Sequence, residues 1–140
     1  MIKGKAGLAM VIAFAACTPA PIRTADGLLV SDGKRALSAD AIEVLGQLRW
    51  ERKCLILERP GVGTFQPVFE RGVTRSAFEQ QLGGQHYPLA VAVYGFDTRT
   101  PEKQGIGSSA VARQCPGIPA YFGRMTLASK VPVPPKPQVP

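Results

Sequence analysis

The chain has 140 residues, 17 of them Lys or Arg against 10 Asp or Glu, for a formal charge of +7 at neutral pH. That length bounds the fold to one domain with a modest core, and His86, the only histidine, excludes multi-histidine metal sites and makes a zinc hydrolase a poor fit. Basic charge of this size suits anionic partners such as nucleic acid, lipid headgroups or acidic cell-wall polymers, and equally fits a dispersed solubilising surface.

Lys3 and Lys5 precede an uncharged stretch of eleven residues, 6–16. It is too short to cross a bilayer as a helix and has the length of a secretory signal's apolar region. The stretch ends Phe14-Ala15-Ala16-Cys17, which resembles the lipobox of bacterial lipoprotein precursors, with Phe14 where that family usually has Leu or another aliphatic residue. The resemblance implies that residues 1–16 are a signal peptide and that Cys17 is the lipid attachment site, carrying palmitate-type chains as the first residue of the mature protein. Thr18 stands where inner-membrane retention signals usually place Asp. The expected location is therefore the cell envelope, at the outer membrane facing the periplasm. The alternatives are ordinary secretory cleavage after Ala15 or Ala20, giving a soluble periplasmic or secreted product, or an uncleaved anchor.

If Cys17 carries lipid, Cys54 and Cys115 remain as an even pair in an oxidising compartment, where disulfides form and persist. Their spacing is neither that of a redox pair nor that of a zinc knuckle. A bridge between them is expected, with two unrelated buried thiols as the alternative.

Residues 17–36 carry Pro19, Pro21, Gly27 and Gly33 around one apolar run, Leu28-Leu29-Val30. They read as lipid attachment and a flexible tether with at most a short strand. A globular domain is expected over 37–129. Ser38 as N-cap, Asp40 in the first turn and the three-residue spacing of Ile42, Leu45 and Leu48 predict an amphipathic helix over 39–50. Residues 53–58 read as a buried strand, 59–63 as a Pro-Gly turn, and 64–69 as a second strand that Pro67 puts at an edge or beside a bulge. Ser76 to Glu79 fits a capping box for a helix ending at Gly83-Gly84. Residues 87–96 alternate as a strand, 97–109 read as a loop, and 110–115 and 121–128 read as closing strands. The fold class is α+β, a small, mostly antiparallel sheet with one or two helices on one face. The last segment, 130–140, holds five prolines and reads as an extended tail, a recognition segment or a spacer.

Catalytic signatures are absent. His86, Asp97 and Ser108 or Ser109 supply the residue types of a hydrolytic triad without a nucleophile elbow, and Gly105 to Ser109 lacks the lysine of a phosphate loop. No catalytic residues, metal site or cofactor are assigned. The candidate binding residues are Arg49, Trp50, Arg52 and Lys53, which place the only tryptophan among cations. The expected function is a non-catalytic binding or structural role in an envelope assembly. Expected partners are the membrane, through the N-terminal lipid, and an envelope protein or peptidoglycan, with no nucleic acid. The alternatives are a periplasmic inhibitor or small-ligand binder acting on a cell-wall enzyme, presenting residues 97–109, and a hydrolase. Cys17→Ser should leave an unprocessed or released protein where Cys54→Ser does not. The intact mass of the mature chain should include lipid, and a mature mass without it would refute the acylated terminus.

Overall fold

A computed structural model describes residues 20–31 and 41–128. The expectations for residues 1–16, Cys17, Ser38, Asp40 and the proline-rich segment 130–140 lie outside those residues. The described residues form an α+β domain dominated by one mixed sheet. Its strands are β1 (Ile22–Arg23), β2 (Leu29–Ser31), β3 (Ile42–Glu51), β4 (Cys54–Arg59), β5 (Gly63–Glu70), β6 (Leu89–Phe96), β7 (Ile118–Tyr121) and β8 (Arg124–Leu127). Three short helices accompany them: α1 (Arg75–Gln81), α2 (Pro101–Gln104) and α3 (Ala110–Arg113).

The sheet runs β1-β2-β5-β4-β3-β6-β8, with β7 paired to β5 beside that path. The β2–β5 and β5–β7 pairs are parallel and the remaining pairs antiparallel. Pro67 falls on β5 between residues 63–65, which pair with β4, and residues 68–70, which pair with β2. The missing amide of the proline thus sits where the strand changes neighbours, as its chemistry requires.

The described part of the helix predicted over 39–50 is instead the long strand β3. Its buried positions are Val44, Gly46 and Leu48, alternating with exposed Leu45 and Gln47, which is the period of a strand. The three-residue spacing of Ile42 and Leu45 with Leu48 is incidental, since Ile42 and Leu45 remain exposed. Gly46 explains the choice: a Cβ there would lie 2.8 Å from Leu57 Cδ1 and 2.9 Å from the Glu58 carbonyl oxygen. The glycine that weakens a helix is what lets β3 and β4 close on one another.

Residues 22–31, expected within a flexible tether, are part of the sheet. Leu28, Leu29 and Val30 are buried, and β2 pairs with β5. Three adjacent apolar side chains bury enough surface to hold a short segment once a parallel partner satisfies its backbone. Residues 110–115, predicted as a strand, begin as helix α3 because the Ser109 hydroxyl accepts the Ala112 amide and the following alanines favour helix. For α1 the cap is Thr74, whose hydroxyl accepts the Ala77 amide, two residues before the Ser76 capping box. The final strand predicted over 121–128 is broken: β7 follows β5, and β8 turns onto β6. The break is made possible at Gly123, whose amide donates to the Tyr94 carbonyl at 2.8 Å and where a Cβ would lie 3.0 Å from that oxygen.

The helices occupy both faces of the sheet, not one. Val68 and Phe69 are neighbours on β5 and point to opposite sides. Phe69 meets Phe78 of α1 edge-on at 4.8 Å and Phe122 at 5.2 Å, within the main core with Leu28, Leu48, Leu57, Val91 and Phe96. Val68 packs with Leu29, Ile106, Ala112 and Tyr121 beneath α2 and α3.

Gly46→Ala separates the two readings of this region by the sign of its effect. In a helix it would stabilise by about 1 kcal/mol. In the strand it should destabilise by about 1–3 kcal/mol through overlap with Leu57 and Glu58, read as a lower denaturation midpoint with an unchanged denaturant slope.

Candidate functional site

The β3–β4 hairpin turns through only two residues, Arg52 and Lys53, because Glu51 pairs directly with Cys54. Among the described residues Arg52 is the only non-glycine with a positive φ, +58°. Tight hairpin turns of this kind favour Gly or Asn at such a position, and a bulky L-residue there costs about 1–2 kcal/mol. The turn therefore holds two adjacent cations at a local cost. Neither Arg52 nor Lys53 has an ion-pair partner among the described residues.

These two residues rim a groove with a volume of about 730 Å³. All four sequence-derived binding candidates, Arg49, Trp50, Arg52 and Lys53, line it. The structure adds Arg23 to Gly27 from the β1–β2 hairpin, Gln47 from β3, Arg75 from the start of α1, and Tyr87 with Pro88 before β6. The lining thus includes five basic side chains and a single acid, Asp26.

Each cation is held differently. Arg49 is bound by Glu51 and, at 2.5 Å, by Glu58, so much of its charge is already compensated. Arg75 pairs with Glu79 at 3.3 Å, and its guanidinium lies 4.2 Å from the centroid of the Trp50 ring, a cation–π contact. Arg23 donates to the carbonyls of Gly27 and Val111 and approaches Cys115 Sγ at 3.2 Å. Among the described residues it has no carboxylate partner, and burial lowers its pKa from the usual value. Asp26 accepts from the Thr24 hydroxyl and, at 2.8 Å, from the Arg75 amide. Those two bonds hold its carboxyl below the ordinary range, so the acid is committed to ordering the β1–β2 turn and the first residue of α1.

Trp50 is not the open stacking platform that its sequence neighbours suggest. Arg75 covers its face, Tyr87 meets it edge-on at 6.2 Å, and Gly27 sits so close that a Cβ would lie 3.2 Å from the ring. The Trp50 indole N–H and the Tyr87 hydroxyl, both buried, interact with one another, and the hydroxyl also with Glu79, without meeting hydrogen-bond geometry. Burial pushes the Tyr87 hydroxyl up to about 12, so it remains a neutral phenol. The ring's role is to orient Arg75 and wall the groove.

The remaining sequence candidates do not assemble. Asp97 is engaged by Arg99 through the backbone amide and the guanidinium, with contacts of 2.7 to 3.3 Å, and these contacts lower its pKa. Ser109 donates to the Pro21 carbonyl, and Ser108 accepts from Arg113. His86 lines a smaller depression with Glu79 and Gln85, which shares Arg75 and Tyr87 with the groove. Residues 97–109 are no projecting loop either: Gln104 is fully buried, donating to the Arg99 carbonyl and accepting the Tyr121 amide, and Ile106 is in the core. Among the described residues no cluster of three His, Cys, Asp or Glu could hold a metal, and no helix is long and apolar enough to cross a membrane.

No protein-family model matches the chain, and neither a curated protein nor a solved structure matches it.

Sequence reasoning found the half of the groove carried by one contiguous run. It missed Arg23, Asp26, Arg75 and Tyr87, which reach the site only through the β1–β2 and α1 packing. The one local signal was Arg23 beside the apolar run 28–30.

Arg52→Gly should raise stability by about 0.5–1 kcal/mol, the relief of the left-handed strain less the added chain entropy of glycine. Thermal denaturation of the oxidised domain reads this. A loss of stability would show that the arginine side chain, not the turn, is what the site depends on structurally.

Proposed function

We propose that this is an exported, lipid-anchored cell-envelope protein with a non-catalytic role, acting through the groove beside Trp50 as a binding site for an anionic envelope component. The single observation that carries the binding reading is the convergence of Arg23, Arg52, Lys53 and the stacked Arg75 on one concavity. Three different parts of the chain supply them, so the charge is gathered by the fold and is not a consequence of a basic run.

Export and anchoring rest on the residues before Cys17 and on the odd cysteine count. The Cys54–Cys115 bridge in the structure, with Cα atoms 5.8 Å apart, supports them, because such bridges persist in oxidising compartments. Outer-membrane attachment follows from Thr18 by the same resemblance.

A small-ligand binder is the second reading. The groove's volume lies in the range of small-molecule sites, and its basic lining suits a compact anion. The inhibitor form of that reading loses its main support, since residues 97–109 are tied into the core.

The binding reading is tested with the unacylated chain from residue 18 onward, mixed with isolated membranes and with purified sacculi. Binding to one of them should fall with added salt, because exposed charge is screened. Arg52→Glu with Lys53→Glu should abolish it while leaving the melting temperature and the disulfide unchanged. Retention of binding in that variant would remove the groove from the function.

A further inference from the structure

The β1 strand begins close to the lipidated position. Pro21, the second described residue, is fixed by its carbonyl accepting the Ser109 hydroxyl at 2.9 Å, and Ile22 is already paired with Val30. Three residues lie between Cys17 and Pro21, so the four Cα–Cα steps reach at most about 14 Å when fully extended. A lipid on Cys17 therefore cannot hold the domain far from the bilayer. Two residues after Pro21 comes Arg23, and residues 23–27 form one wall of the basic groove. The part of the domain nearest the anchor is the part that carries the cations.

We propose that the groove receives the phosphate headgroups of the membrane to which the chain is anchored, so that Arg23, Arg52, Lys53 and Arg75 fix the orientation of the domain on its own bilayer. This rests on the anchored reading of Cys17 and on the groove as the binding site, and it names the groove's partner. Charge complementarity and the short connection favour this partner over a distant one. Among the described residues Arg52 and Lys53 have no ion-pair partner, and Arg75 is oriented by the Trp50 face with its side chain still 41% exposed. Each basic residue near an anionic surface contributes roughly a fivefold gain in partitioning, and the contribution falls within about 8 Å at physiological salt. Without the tether the same contacts let the chain partition reversibly onto an anionic surface. On a tethered domain the same contacts act at high effective concentration, so weak contacts suffice to select one face.

The test uses the unacylated chain from residue 18 onward, which contains every described residue, and so does not depend on lipidation. It is sedimented with vesicles of phosphatidylglycerol mixed with phosphatidylcholine and with vesicles of phosphatidylcholine alone. Binding is expected to the first and not the second, with release at high salt and protection of Trp50 fluorescence from a soluble quencher. Arg52→Glu with Lys53→Glu should reduce partitioning by at least about 25-fold, two residues at fivefold each. Lys103→Glu with Arg124→Glu, the same change of charge on exposed residues outside the groove lining, should reduce it much less. Each variant is first checked for an intact disulfide and an unchanged melting temperature. Failure to bind anionic vesicles overturns the inference. So does an equal loss in both double variants, which would mean diffuse charge and not a site. If sacculi or inorganic phosphate bind through Arg52 and Lys53 while anionic vesicles do not, the membrane partner is refuted and the groove remains a binding site. If no material binds, the groove reading falls as well.

Discussion

The Cys54–Cys115 bridge is the constraint around which the site is organised. It closes a separation of 61 residues, for which chain entropy gives stabilisation of roughly 4 kcal/mol. That is a large share of the total for a domain of this size. Its position matters as much as its energy. Cys54 is the first residue after the Arg52–Lys53 turn, and Cys115 follows α3, so the bond pins the hairpin tip to the α3–β7 connection. Arg23 then approaches Cys115 Sγ and donates to the Val111 carbonyl, which brings the β1 strand to the same point. The bridge adds a covalent link at the hairpin tip to the backbone pairing that joins the two walls of the groove through β2, β5 and β4.

Two buried amides complete what the bridge begins. Gln66 on β5, 2% exposed, donates to the carbonyls of Ala112 and Gly117 at 2.7 and 3.0 Å, with Cys115 further off. Gln104 joins the Arg99 carbonyl to the Tyr121 amide. Irregular backbone is buried here, and its polar groups need partners; two side chains supply them, Gln66 as donor and Gln104 as donor and acceptor. The segment 97–117 is glycine-rich, carries charge at Asp97, Arg99, Glu102, Lys103 and Arg113, and reads as a loop. It is tied to the sheet because Gln66 on β5 and Gln104 within the segment bond its backbone and that of Tyr121, an arrangement that local composition does not reveal.

The same division separates what was legible in the sequence from what was not. The disulfide, the strand over 53–58, the Pro-Gly turn, the strand before Phe96 and the stop of α1 at Gly83 follow from local chemistry or from counting. Residues 39–50 carry both a three-residue apolar spacing and a two-residue one. The choice between them is made by β4 and β6, which flank β3 and need a close approach at Gly46. Residues 22–31 are too few to declare themselves; they become strands only because β5 offers a free parallel edge. The candidate site divides in the same way. Arg49 to Lys53 are contiguous and visible, whereas Arg23 and Arg75 are 52 residues apart in the sequence and meet only through tertiary packing.

The groove also collects the local costs of the fold. Among the described residues, the buried side-chain polar atoms without a hydrogen-bond partner are the Trp50 indole N–H and the Tyr87 hydroxyl, and the non-glycine with a positive φ is Arg52. All three residues line the same concavity. The left-handed turn at Arg52 costs about 1–2 kcal/mol, with glycine as its remedy, and the two polar atoms lack hydrogen-bond geometry in a buried setting. Elsewhere the domain is economical, with its buried glutamines satisfied and its aromatic rings packed edge to face. A sequence that satisfies local rules throughout and departs from them at one place locates a constraint other than stability at that place. Here the departures keep a cation at the tip of the hairpin and polar aromatic walls around it, which are the features an anionic partner would use.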